Sequence, residues 1–308
     1  MALLSGRVVI VTGAGRGIGR DHALALGRYG AKVLVNDRGG AVDGTGGAAG
    51  PADDVAAQIA AAGGEALANY DDVSDYAACE RMIQQAIEAW GRLDVLVNNA
   101  GVLRDRMSWN MTEDDWDTVM KVHMKGTFSC TRHALNHWRA RHKQTGHPVG
   151  ARIINTVSGA MFGNVGQSSY GAAKAGIMGY TLGVALETAA MGVTCNAIRP
   201  SGQTRMSGAI PAGSALAERR ANLPARDPEL PETFGSELVC YLASEHSGWI
   251  SGQLLRIGEN VLELDKGWHA AAQIPAPNKK YWTAEQLVTG MPKLVGMAPT
   301  SLLDILDM

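Results

Sequence analysis

Seven short, β-branched runs alternate along the chain with longer helical stretches, and this alternation restricts the possible folds more than any other feature. The runs are residues 8–12, 32–36, 66–70, 93–98, 152–156, 193–198 and 254–257. The helical stretches are 18–29, 52–62, 76–90, 113–142, 169–191 and 233–243. Apolar strands separated by amphipathic helices form strand–helix–strand units, whose parallel sheet is covered on both faces. Right-handed crossovers then wind the helices onto both sides. The expected fold is a doubly wound α/β sheet. No internal repeat interrupts the pattern.

Composition narrows the function. The 308 residues are 46% apolar, enough for a large core, and suit one large α/β domain or two small ones. Basic and acidic residues nearly balance, 28 against 30, without a like-charge block, which argues against nucleic acid or an anionic membrane as a partner. Arg139, Arg141, His142 and Lys143 read as a solvated helix C-terminus, where cations suit the dipole. Cys79, Cys130, Cys195 and Cys240 include no CxxC pair and no cysteine–histidine group with zinc spacing, so no metal is expected. Reduced thiols, no signal-peptide pattern and no apolar run of membrane length together make a cytoplasmic protein the expectation.

Three segments are irregular. Residues 38–50 form a glycine-rich loop after the second strand. Residues 201–231 read as a mobile loop with a short helix near 215–221. The 264–308 stretch has a helical patch near 284–289 and reads as an extension packing on the core or on a neighbouring subunit. The expected division is a single domain over 1–263 and this extension over 264–308.

Thr12-Gly13-Ala14-Gly15-Arg16-Gly17-Ile18-Gly19 follows a strand and opens a helix. Glycines there let the backbone approach a pyrophosphate, and the helix N-terminus supplies N–H donors and positive potential. Asp37 ends the second strand, where a carboxylate accepts hydrogen bonds from ribose hydroxyls and repels a 2′-phosphate. NAD is therefore expected rather than NADP, although Arg38 beside it can pair with a phosphate. Asp72 and Val73 follow the third strand. They can flank an adenine, or Asp72 can cap the helix that begins near Asp75. Asn98-Asn99-Ala100-Gly101 ends the fourth strand, where amides can tie loops together and line a cofactor cleft.

Tyr170 and Lys174 are spaced i, i+4, which puts them on one helix face. A phenol is too weak an acid to serve as a base near neutral pH, and a nearby ammonium lowers its pKa. The lysine can also hold a nicotinamide ribose. Ser158, just after the fifth strand, can donate to a substrate oxygen while Tyr170 transfers the proton. The bland alternative for each is a surface pair or a turn residue.

The glycine motif, the Asn-Asn-Ala-Gly run, the serine and the Tyr-x-x-x-Lys pair occur in one order. In that combination, over about residues 4–262, the chain resembles the short-chain dehydrogenase/reductase family. The resemblance implies a Rossmann fold with a seven-stranded parallel sheet, order 3-2-1-4-5-6-7, and a homotetramer or homodimer built through the long helices. It implies cofactor contacts from Gly13, Gly15, Arg16, Gly17, Ile18, Gly19, Asp37, Asp72, Val73, Asn99, Ala100, Gly101, Tyr170, Lys174, Pro200, Thr204 and Met206. Catalysis would fall to Ser158, Tyr170 and Lys174.

Three departures from the family pattern stand out. His123, in His123-Met124-Lys125-Gly126, replaces the usual Asn; it either joins the catalytic group or only packs there. Ser158 is twelve residues before Tyr170, one fewer than usual. Pro200-Ser201 replaces the common Pro-Gly, and Thr204 and Met206 follow. Thr204 is then either a ligand of the carboxamide or diphosphate or a capping residue.

Narrower features are Val35-Asn36-Asp37-Arg38-Gly39-Gly40, Asn69-Tyr70-Asp71, Leu103-Arg104-Asp105-Arg106, Val122-His123 and Gly163-Asn164. These are similar to the (3R)-hydroxyacyl-CoA dehydrogenase domains of peroxisomal type 2 multifunctional enzymes, whose relatives also oxidise 17β-hydroxysteroids. The expectation is an NAD-dependent dehydrogenase for a lipid-like secondary alcohol, an acyl-CoA or a steroid. Its pocket would be lined near Leu103, Met161, Phe162 and the 201–231 segment. The competing readings are a 3-oxoacyl-carrier-protein reductase, which usually prefers NADPH, and a nucleotide-binding subunit without catalysis.

Overall fold

Alternate residues of the central strands face opposite layers, and both layers are apolar. Val9, Val11, Val33, Val35, Val95 and Val97 belong to one buried cluster, with Leu26, Ile59 and Leu242. Val8, Ile10, Leu34, Leu96 and Ile153 belong to another, with Met82, Ile83 and Trp138. A strand buried on both faces needs helices on both sides, and its sequence then reads as a continuous apolar run. The computed structural model describes residues 2–202, 233–258, 261–266, 273–276 and 282–296.

The strands are β1 (Val8–Thr12), β2 (Lys32–Asn36), β3 (Glu65–Asn69), β4 (Val95–Asn98), β5 (Arg152–Thr156), β6 (Thr194–Ile198), β7 (Leu254–Ile257) and β8 (Leu262–Asp265). Across the sheet the order is 3-2-1-4-5-6-7-8. The first seven run parallel in the expected order, and the expected count of seven is corrected to eight. β8 returns antiparallel along β7, pairing Leu262 with Ile257 and Asp265 with Leu254. Arg199, at the end of β6, donates to Asp265 at 2.9 and 3.1 Å and to Glu263 at 3.2 Å, which pins that edge.

The helices are α1 (Gly17–Arg28), α2 (Gly50–Ala61), α3 (Tyr76–Trp90), α4 (Glu113–Met120), α5 (Gly126–Thr145), α6 (Ser168–Thr188) and α7 (Ser236–Ala243). The expected continuous helix over 113–142 is divided. A π-helical turn, Lys121–Lys125, separates α4 from α5. The expected helix over 233–243 starts later, because Thr233–Phe234 pairs antiparallel with Ser201–Gly202. The expected helix near 215–221, Thr204 and Met206 lie outside the described residues.

Residues 1–265 form one compact unit and residues 266–308 a second. Within the second, helix α8 spans Ala284–Gly296, the patch expected near 284–289. Thr283 and Gln286 cap it reciprocally, side chain to backbone, at 3.2 and 3.3 Å. Among the described residues, no helix is long and apolar enough to cross a membrane.

Candidate active site

The C-terminal ends of β1, β2, β4 and β5 open onto one cleft of about 410 Å3, where a doubly wound sheet usually binds its ligand. Gly13, Arg16, Gly17, Ile18 and Gly19 line it at the start of α1. Gly13 has φ +63°, and a Cβ there would stand 2.7 Å from the Ala100 backbone. A Cβ on Gly19 would overlap the Gly13 carbonyl. The first turn of α1 carries no acidic residue, so its N–H groups and positive dipole end face the cleft uncompensated. This cradle fits the diphosphate of a dinucleotide. Gly15 is the exception among the motif glycines. It sits behind the wall, where a Cβ would meet Pro51 at 2.7 Å and Asp37 at 2.9 Å.

Asp37 lines the cleft at the end of β2. One carboxylate oxygen accepts from Gly15 N at 2.8 Å and the other from Gly39 N at 2.7 Å. Arg38 turns the other way. It pairs with Asp72 and donates to the carbonyls of Gly44 at 2.8 Å and Gly46 at 2.6 Å. The glycine-rich loop is thereby folded toward the cleft, and Leu103 N donates to Val42 O at 2.9 Å across it.

Asp72 and Val73 also line the cleft. The two readings of Asp72 are now separable, because Asp75 caps α3 by accepting from Ala77 N and Ala78 N. Burial works against the Asp72 carboxylate, but the Ser74 donors and Arg38 outweigh it and hold its pKa below the ordinary value.

Asn99 fastens the end of β4 to the glycine turn. Its amide donates to the carbonyls of Thr12 at 3.0 Å and Gly13 at 3.2 Å. Ala100 and Gly101 complete that wall. Gly101 admits no side chain, because a Cβ would overlap the His123 ring. Asn98 donates to Asn155 at 2.9 Å, and Asn155 donates to Thr181 on α6 at 2.9 Å. This buried chain sets α6 against the sheet, and α6 carries Tyr170 and Lys174.

Ser158, Tyr170, Lys174, His123 and Pro200 converge on the same cleft. Lys174 is buried and donates to the Thr156 carbonyl at 2.7 Å, with Nζ 5.6 Å from the Tyr170 ring centroid. Burial lowers its pKa to about 7. Burial raises the Tyr170 phenol to about 12; the Ser158 hydroxyl opposes that rise and the Asp105 carboxylate adds to it. The expected lowering of the phenol by the nearby ammonium is thus corrected, because burial dominates. In the free protein, desolvation favours the neutral form of both groups.

His123 sits in the π-helical turn and meets Tyr170 edge-on, ring centroids 5.2 Å apart. Its Nε2 lies 2.9 Å from the Val102 carbonyl and 3.1 Å from Val102 N, a donor or an acceptor according to tautomer. Burial and the Lys174 charge push its pKa down to about 3, so the ring is neutral.

Leu103 lines the cleft as expected. Met161 and Phe162 instead pack with Val157, Ile177 and Met178 in an apolar cluster. Sequence reading passed over Gln167, which lines the cleft three residues before Tyr170, and gave Asn164 no role.

A glycine turn for a diphosphate, and a phenol with a serine and lysine at the far end of one cleft, define a Rossmann-type dehydrogenase architecture. The chain belongs to the short chain dehydrogenase family, whose pattern matches residues 7–213. It is an oxidoreductase acting on CH–OH groups with a nicotinamide cofactor. It is 41% identical over 253 residues to a hydroxyacyl-CoA dehydrogenase of Mycobacterium tuberculosis, covering 82% of this chain and 77% of that one. It is 42% identical over 202 residues to the mouse peroxisomal multifunctional enzyme type 2, covering 66% of this chain and 26% of that enzyme. The chain therefore matches only about a quarter of that enzyme's length. A crystal structure of a short chain dehydrogenase from Mycobacterium avium aligns with TM-score 0.80 and 41% identity, covering 96% of this chain and 97% of that one. One from Burkholderia cenocepacia, in complex with NADP, aligns with TM-score 0.68 and 30% identity, covering 83% and 97%.

Proposed function

We propose that this chain is an NAD(H)-dependent dehydrogenase of 3-hydroxyacyl-CoA thioesters, with a hydroxysteroid as the alternative substrate. The observation that carries it is the convergence of Ser158, Tyr170 and Lys174 in the cleft that the glycine turn opens. When bound, the nicotinamide supplies the hydride acceptor. Ser158 donates to the substrate oxygen, and Tyr170, once it has released its own proton to solvent, takes the alcohol proton; in the reverse direction the protonated phenol donates to the carbonyl oxygen. Lys174 holds the ribose of the cofactor and places a donor beside the phenol. His123 supports the Tyr170 ring through its edge contact. The acyl-CoA substrate is supported by the relatives named for hydroxyacyl-CoA and multifunctional enzymes.

NAD over NADP is supported by Asp37 and by the pairing of Arg38 with Asp72, Gly44 and Gly46, which engages both terminal nitrogens of its guanidinium. We further infer a cytoplasmic homotetramer or homodimer. Its four buried free cysteines suit a reducing compartment, and chain mass by light scattering tests the assembly.

The test is the absorbance of reduced nicotinamide formed from NAD and from NADP with 3-hydroxyacyl-CoA and with 17β-hydroxysteroids. Turnover with NAD and the thioester is the expected result. Preference for NADP with an acyl-carrier-protein thioester would favour the reductase reading instead. Cofactor binding without turnover of any secondary alcohol would overturn catalysis.

A further inference from the structure

Three polar side chains beside the cleft form a chain that proton transfer at Tyr170 does not use. Gln167 Nε2 donates to Asp105 Oδ2 at 2.8 Å, and Asn164 Nδ2 donates to Gln167 Oε1 at 2.6 Å. Asn164 and Gln167 line the cleft with Ser158 and Tyr170, whereas Asp105 stands behind them. The backbone locks the same corner, because Arg106 N donates to Gly166 O at 2.8 Å. Ser108 and Ser168 share a further hydrogen bond at 3.0 Å.

The direction of this chain is forced. An ionised carboxylate only accepts, so Gln167 must turn its NH2 toward Asp105 and its carbonyl toward Asn164. Asn164 must then spend its NH2 on Gln167, and its own carbonyl is the acceptor at the free end. Among the described residues, no donor reaches that carbonyl.

The arrangement is also costly. Asp105 Oδ1 is buried with no hydrogen-bond partner, and burial raises the Asp105 carboxyl above its ordinary value although Gln167 opposes it. A buried, half-satisfied carboxylate calls for an explanation. Fixing the polarity of the two amides ahead of it supplies one.

We propose that Asn164 is a specificity-determining residue whose carbonyl accepts from an amide N–H on the arm of the thioester substrate, with Asp105 and Gln167 as positioning residues. The proposal rests on the dehydrogenase reading above and adds what distinguishes one thioester from another. Acyl-CoA carries such an N–H on the arm beyond its sulfur, and a simple alkyl thioester does not.

Two thioesters of 3-hydroxybutyrate test this with the full chain and NAD. The N-acetylcysteamine thioester retains the first amide, and the S-ethyl thioester lacks it. The ratio of their kcat/KM values cancels the fraction of folded enzyme, so a poorly folded variant still reports. The wild type is expected to favour the amide-bearing thioester about tenfold, as befits one hydrogen bond, through KM rather than kcat. Asn164→Ala and Asp105→Leu bring that ratio near one. Asp105→Asn, whose carbonyl still accepts from Gln167, restores most of it. An undiminished ratio in Asn164→Ala overturns the proposal, and so does equal handling of both thioesters by the wild type. If the wild type oxidises neither thioester, the dehydrogenase reading falls and carries this one with it.

Discussion

Lys174 spends its hydrogen bond on the Thr156 carbonyl, at 2.7 Å, while its Nζ stands 5.6 Å from the centre of the Tyr170 ring. The helical i, i+4 spacing brings the two side chains together, and the end of β5 takes one of the lysine's three N–H donors. Burial then moves both groups toward neutrality, the phenol up to about 12 and the ammonium down to about 7. The free site thus holds the phenol protonated across the neutral range. Two substitutions separate the roles of the pair.

Tyr170→Phe removes the proton-transferring group and little else, since the ring keeps its edge contact with His123. The expected loss is about 10^3-fold in kcat/KM, within the range of general acid–base catalysis. NADH affinity, read by fluorescence titration, stays within twofold. Full turnover by the variant would end the assignment of Tyr170 as the proton carrier.

Lys174→Ala is expected to behave differently, because the lysine is assigned to the cofactor as well as to the phenol. Activity falls about 10^2-fold or more, and NADH affinity falls with it. The Thr156 carbonyl also loses its donor, at a cost of about 1–3 kcal/mol for a buried unsatisfied acceptor. Melting temperature therefore drops too. Unchanged NADH affinity would contradict the double role.

The parallel sheet was legible because its central strands β1, β2, β4, β5 and β6 are buried on both faces, so their apolar runs are continuous and their order is fixed by the helices between them. β8 was missed although Leu262-Glu263-Leu264-Asp265 alternates apolar and acidic residues, the mark of a strand with one exposed face. It was passed over because that stretch was read as the start of the extension. The π-helical turn at Lys121–Lys125 leaves no trace in a 3.6-residue period, because a single widened turn shifts the pattern by only one residue. The glycine turn was readable from its spacing directly after a strand, and Asp37, Ser158, Tyr170 and Lys174 because each carries its chemistry in its own side chain. Gln167 and the partners of Arg38 were not, because their roles depend on residues distant in sequence.

Two buried histidines make the protein acid-sensitive. Burial holds both His22 and His123 near pKa 3, well below the unfolded value of 6.5. Above 6.5 both states are neutral and the histidines contribute their full share of stability. As pH falls from 6.5 toward 3 the unfolded chain takes up protons that the folded chain refuses, so stability is lost. The loss is on the order of 3 kcal/mol per histidine by pH 4. Melting temperature is expected to fall between pH 6.5 and 4, and less steeply in His22→Gln, whose Nδ1 partner is the Ser236 hydroxyl at 2.9 Å. Parallel curves for the two proteins would show that His22 is not a source of the sensitivity.

Cofactor choice is expected to depend on a residue that need not touch the cofactor. Arg38 follows Asp37 at the end of β2, where a free guanidinium would welcome a 2′-phosphate, but Asp72 and two glycine carbonyls hold it. Asp72→Ala removes the only one of these partners that carries charge. Arg38 then gains freedom to swing toward the ribose, while Asp37 keeps its two backbone donors from Gly15 and Gly39. The ratio of kcat/KM for NADPH to that for NADH is expected to rise about tenfold, the scale of one charge-assisted hydrogen bond. The double variant Asp72→Ala with Arg38→Leu should bring the ratio back to the wild-type value. If it does not, a second cation on that side, the exposed Arg16, whose guanidinium lies 3.4 Å from the Gly40 carbonyl, is reading the phosphate instead. If Asp72→Ala alone leaves the ratio unchanged, the Arg38–Asp72 pair does not set the cofactor preference, and its function is confined to holding the glycine-rich loop.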